Sequence, residues 1–74
     1  MEITAVVLGL VPFEIHGERY LTVYYAHEDD PETVLEARLP LSAIYPRPHV
    51  NDRVRIHYVL EVPTRIELAG ANGR

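Results

Sequence analysis

From Val50 to Pro63 the chain alternates. Val54, Ile56, Tyr58, Leu60 and Val62 share one parity, and Arg53, Arg55, His57, Val59 and Glu61 share the other. A period of two predicts a strand with one face on a core, here the aliphatic and tyrosine face. The same period recurs upstream. Leu21, Val23 and Tyr25 form the inward set of a strand from about Glu18 to Ala26, with Tyr20, Thr22 and Tyr24 on its reverse. Thr33, Leu35, Ala37 and Leu39 predict a third strand, with Val34, Glu36 and Arg38 outward. Thr64 to Leu68 predicts a last one, with Ile66 and Leu68 inward. No segment carries a sustained helical period.

The opening segment, Glu2 to about Val11, behaves differently. Ile3, Ala5, Val7 and Val11 lie on one parity, and Val6, Leu8 and Leu10 on the other. A strand apolar on both faces needs cover on both. Gly9 within it predicts a bulge or bend, the device by which small barrels turn corners. Pro12 cannot donate to a ladder, so the strand is expected to end there or to run along an edge.

Turn formers punctuate the strands. Gly17 in "EIHGERY" and the charged "HEDDPE" read as turns. In "PLSAIYPRPHVND", Leu41, Ile44 and Tyr45 are spaced for a single helical or 3₁₀ turn that caps an open barrel end, and Pro46 and Pro48 force extended chain. The expected fold is all-β: one small, partly open barrel of five or six strands over residues 1–69, with one short helical turn. A disordered tail is expected over 70–74. "VYYAHEDDPETVLEA" and "IHYVLEVPTRIELA" resemble each other, as two hairpins built by the same chemistry would.

Two resemblances attach to these residues. "V..DRVRIHY" resembles the GD-x-V-x-V opening of a strand common to OB, TOBE-like and SH3-like barrels. Asn51 stands where glycine is usual there, and asparagine tolerates a left-handed turn. "VRIHYVLEVPTRIEL" resembles the closing hairpin of a family of small β domains of unknown function. That pattern is V-x-V-x-Y, four residues, Pro, then an apolar strand ending in Leu. The match spans 15 of 74 residues, and Val59-Leu60 replace the usual Asp-Pro. Both imply a fold and not an activity.

Composition narrows the function classes. No cysteine occurs in the 74 residues, which excludes disulfides and thiolate metal sites. A reducing, cytoplasmic setting is the expectation. The start "MEITAVVLGLVPF" lacks the basic region and cleavage site of a secretory signal, and no apolar run reaches the ~20 residues of a membrane span. Net charge is −4, unevenly distributed: residues 1–37 hold eight acids against one arginine, residues 38–74 six arginines against three acids. Such a split marks either a charged partner or acidic and basic strands paired within one sheet.

No catalytic constellation is present, and we expect a non-enzymatic protein without cofactor. The four histidines, His16, His27, His49 and His57, share no metal-ligand spacing. The acids of "HEDDPE" lack the glycine and spacing of a calcium loop, so no metal is expected. Two binding readings remain. Val6, Leu8, Leu10, Tyr20 and Tyr24 present apolar area that one small barrel cannot bury, which predicts self-association as a homodimer or small oligomer, or a protein partner. Alternatively, Tyr45, Arg47, Arg53, Arg55 and His57 supply the basic groove and stacking ring of an OB-like single-strand binder. The acidic net charge disfavours the second reading.

Overall fold

The computed structural model describes residues 1–69, so the tail expectation for 70–74 lies outside the described residues. Five strands form one antiparallel sheet: β1 (Glu2–Ile15), β2 (Glu18–His27), β3 (Leu35–Pro40), β4 (Arg53–Val59) and β5 (Val62–Leu68). Their spatial order is β3-β2-β1-β4-β5, and a 3₁₀ turn (Leu41–Ala43) follows β3. The sheet curls without closing. After the 3₁₀ turn, Ile44 makes a single parallel bridge with Ile66, and the Tyr45 N–H donates to the Ile66 carbonyl at 3.2 Å. That crossing chain spans the seam between β3 and β5.

The alternating sets meet inside the curl. Ala5, Val7, Leu21, Val23, Tyr25, Ala37, Leu39, Val54, Ile56 and Ile66 form the buried core. Ala43, Ile44 and Tyr45 pack against it from the crossing segment, while Leu41 stays exposed.

β1 is the organising strand, and it differs from the expectation in two ways. It does not end at Pro12 but runs to Ile15, with Pro12 opposite Leu21. β4 pairs with β1 only over Glu2–Val6, so beyond that stretch one side of β1 has no strand partner. A proline is tolerated there because no ladder bond is asked of it. Second, the register shifts between Val7 and Gly9, leaving Leu8 as an extra residue. One inserted residue reverses parity beyond it. Leu10, opposite Val23, therefore turns toward the core, and Val11, opposite Thr22, turns away. This corrects both the expected inward Val11 and the expected outward Leu10. Fourteen straight residues would run about 46 Å, beyond the molecule's longest extent of 36 Å. The bulge lets the strand bend.

The Val50–Pro63 stretch is also cut where alternation predicted continuity. β4 ends at Val59, Leu60 and Glu61 form a two-residue turn, and β5 starts at Val62 and includes Pro63. Leu60 and Val62, expected inward, lie in solvent. No glycine, asparagine or proline marks this turn, although both residues have positive φ, 51° and 68°. The β1–β2 turn has the same length and uses His16 (φ 51°) and Gly17 (φ 82°), a pair that meets the left-handed requirement at lower cost. Asn51 also adopts the left-handed conformation, at φ 79°.

Candidate functional site

The outer surface of the sheet carries an ion-paired ridge on β4–β5 and an apolar strip on β1–β2. On the ridge, Arg53, Arg55 and His57 stand in a row, as their shared parity requires. Each is already engaged. Arg53 donates twice to the Glu28 carboxylate, through Nε and through Nη2, the latter at 3.1 Å. Arg55 lies 3.6 Å from Glu2 and 3.6 Å from Glu67. His57 Nε2 is 3.0 Å from Glu67 Oε1, and Arg65 reaches the other oxygen of Glu67 at 3.0 Å. The hydrogen bond from His57, aided by the nearby arginine charges, holds the Glu67 carboxyl below its ordinary range. Arg53 does the same to Glu28. Glu2 and Glu28, from the acidic half of the chain, pair with Arg55 and Arg53 of the basic half, and Glu67 of β5 pairs with the rest of the ridge.

Tyr45 and Arg47, the remaining residues of the nucleic-acid set, lie in the segment between the 3₁₀ turn and β4. Tyr45 is half-buried against the core and donates to Asp52 Oδ2 at 2.6 Å. The His49 N–H donates to the same oxygen at 2.8 Å, closing the turn that leads into β4. Burial and the Asp52 contact push the Tyr45 phenol up, and the Tyr45 bond pulls the Asp52 carboxyl down. This hydroxyl anchors the segment that leads into β4. Arg47 is exposed, has φ 55°, and has no ion-pair partner among the described residues.

The outer face of β1 and β2 is apolar and aromatic, while β3 beside it carries an exposed Glu36–Arg38 ion pair at 3.6 Å. Val6, Gly9, Val11 and Phe13 on β1 lie opposite Ala26, Tyr24, Thr22 and Tyr20 on β2. Phe13 and Tyr20 stack with centroids 5.3 Å apart, and the Arg38 guanidinium sits 5.9 Å above Phe13. Tyr24 leans over Gly9, whose missing side chain would lie 3.5 Å from the Tyr24 ring. Leu8 remains 42% exposed and Val11 50% exposed. Of the proposed association residues, the fold gathers Val6, Tyr20 and Tyr24 on this face, leaves Leu8 in solvent beside it, and withdraws Leu10 to the core. Sequence reasoning missed Phe13 and Val11. Continuing the strand through Pro12, as an edge strand permits, would have found Phe13, and carrying the bulge expected at Gly9 through to the parity beyond it would have found Val11.

A groove of about 510 Å³ lies at the β1–β2 turn end of the sheet, lined by Pro12, Phe13, Glu14, Arg19, Tyr20 and Leu41, residues of both strand parities. A second recess, about 360 Å³, lies at the opposite end of β1 between Met1, Ile3, His27, Leu35, Tyr58 and Glu61. Among the described residues no group of three or more histidine, aspartate or glutamate side chains is placed to hold a metal ion. No described helix is long and apolar enough to cross a membrane.

No family model, curated protein or solved structure matches this chain.

Proposed function

We propose that this protein is a cytoplasmic, non-catalytic assembly module of the small-barrel kind, OB-like or SH3-like, that self-associates through the outer face of β1 and β2. The observation that carries this reading is the contrast on the outer surface. The charged ridge satisfies itself with internal ion pairs, whereas Leu8, Val11, Phe13, Tyr20 and Tyr24 leave apolar area in water. Covering the exposed half of an aliphatic side chain contributes about 1 kcal/mol, so a handful of such groups supports a specific contact. Strand-to-strand pairing is the less favoured route. Each free edge carries a proline: Pro12 on the unpaired stretch of β1, Pro40 on β3 and Pro63 on β5. Such edges resist addition of another strand.

Light scattering on a sizing column tests the proposal. Mass above 8.5 kDa, rising with concentration and insensitive to salt, is the expected result. A monomer at high micromolar concentration removes it. Nucleic acid is the weaker reading, because Arg53, Arg55 and His57 would have to leave Glu28, Glu2 and Glu67. Fluorescence titration with labelled single strands at two salt concentrations separates the readings: phosphate-led binding collapses as salt rises.

A further inference from the structure

We propose that the recess at the start of β1 is a binding site for a small organic amine, an ammonium group carried on an apolar body. Ile3, His27, Leu35 and Tyr58 line it, and all four stand on the inward rows of their strands. They continue the buried rows Ala5–Val7, Val23–Tyr25, Ala37–Leu39 and Val54–Ile56, and Met1 extends the row of Ile3. The recess is therefore the open mouth of the curled sheet, one layer beyond the packed core. Barrel mouths are a frequent place for small ligands, and a volume of about 360 Å³ suits one. The site is independent of the self-association strip, which lies on the opposite parity of β1 and β2.

The charge at the rim selects the ligand. On the floor, the Tyr58 hydroxyl meets the Tyr25 hydroxyl at 2.7 Å and His27 Nε2 at 2.9 Å, so these polar groups are engaged with one another. Met1, Ile3 and Leu35 make the walls apolar. Glu61 lines the recess from the β4–β5 turn, held there at φ 68°, and its carboxylate has no ion-pair partner among the described residues. The β2–β3 loop joins two lining residues, His27 and Leu35, and carries Asp29, Asp30 and Glu32, all exposed and without ion-pair partners among the described residues. The Glu28 N–H pins this loop beside β1 by donating to the Thr4 carbonyl at 3.0 Å. Nearby positive charge is already occupied. The Met1 ammonium donates to the Tyr58 carbonyl at 3.2 Å, and Arg53 is held by Glu28. An apolar cup with carboxylates at its lip fits a ligand that is apolar at one end and cationic at the other. Its body packs on Ile3 and Leu35, and its ammonium meets Glu61. An organic acid of the same shape is repelled at that lip.

Phenethylamine, 2-phenylethanol and phenylacetate share one body and differ in the charge at its end. Each is titrated into the full-length, ¹⁵N-labelled protein at neutral pH, and amide shifts are followed. The amine should give saturable shifts at Ile3, His27, Leu35 and Tyr58. Its dissociation constant should be about threefold or more below that of the alcohol, and lower still against the acid. Glu61→Gln, at an exposed turn position, should weaken the amine by about threefold and leave the alcohol unchanged. Leu35→Ala should weaken amine and alcohol alike. Val11→Ser, on the outer strip, should change neither. Equal constants for the three probes, or an amine indifferent to Glu61→Gln, overturn amine recognition. Shifts centred on Phe13 and Tyr20, or no saturation by about 10 mM amine, overturn the site itself.

Discussion

The hydroxyls of Tyr25 and Tyr58 lie 2.7 Å apart inside the curled sheet. Each tyrosine stands near the end of the first strand of its hairpin, and the two hairpins resemble each other in sequence. The tyrosines meet because β2 and β4 flank β1 on opposite sides and the sheet bends around its core. His27 Nε2 lies 2.9 Å from the Tyr58 hydroxyl, so Tyr58 is the shared member of a three-group network.

Removing that shared hydroxyl should cost more than removing its neighbour. Tyr58→Phe leaves the Tyr25 hydroxyl buried without its partner, a loss of about 1–3 kcal/mol. Tyr25→Phe costs less, since Tyr58 keeps His27. The double variant should be more stable than the sum of the single losses implies. Urea denaturation of the three variants measures this; strict additivity would deny that the hydroxyls interact.

Stability should fall at both ends of the pH range, for opposite reasons. The Glu67, Glu28 and Asp52 carboxyls sit below their ordinary values of 4.5, 4.5 and 3.8, owing first to hydrogen bonds from His57, Arg53 and Tyr45. Their contribution is present above those ordinary values. It is lost as pH falls through the lower folded values, because the unfolded chain takes up protons first. The Tyr25 and Tyr45 phenols are raised above 10.0, chiefly by burial. Their contribution is complete below 10.0 and declines at higher pH as the unfolded chain ionises first. Thermal melts across pH should show an acid decline that is blunted in Glu67→Gln, and an alkaline decline accompanied by tyrosinate absorbance.

The turn residues make a second stability prediction. Leu60-Glu61→Asn-Gly relieves two left-handed non-glycine residues and should stabilise the fold by about 1–2 kcal/mol. An unchanged or lowered denaturation midpoint would mean the turn is not strained.

Two glycines should respond differently. Gly17 has φ 82°, so Gly17→Ala forces a side chain into the left-handed region and should cost about 1 kcal/mol. Gly9 lacks a positive φ, and an added Cβ would meet the Tyr24 ring at 3.5 Å, an ordinary contact. Gly9→Ala should leave stability within about 0.5 kcal/mol or raise it slightly. Equal losses at both positions would contradict this account of the bulge.

The amino-acid order by itself determined the all-β class, the approximate strands, the inward sets of β2, β3 and β4, the Gly17 turn and the bend at Gly9. These follow from period-two burial and from backbone preferences, which act between near neighbours. Only the tertiary structure decided the rest. Leu10 and Val11 exchanged faces because a single extra residue at the bulge reverses parity, and that residue is placed by pairing with a distant strand. The β4–β5 turn fell on Leu60-Glu61 because cross-strand register overrode local turn preference. The arginine ridge was legible as a row, but its ion pairing was not: Glu2 and Glu28 reach Arg55 and Arg53 through strand order, and no local pattern encodes which strands become neighbours.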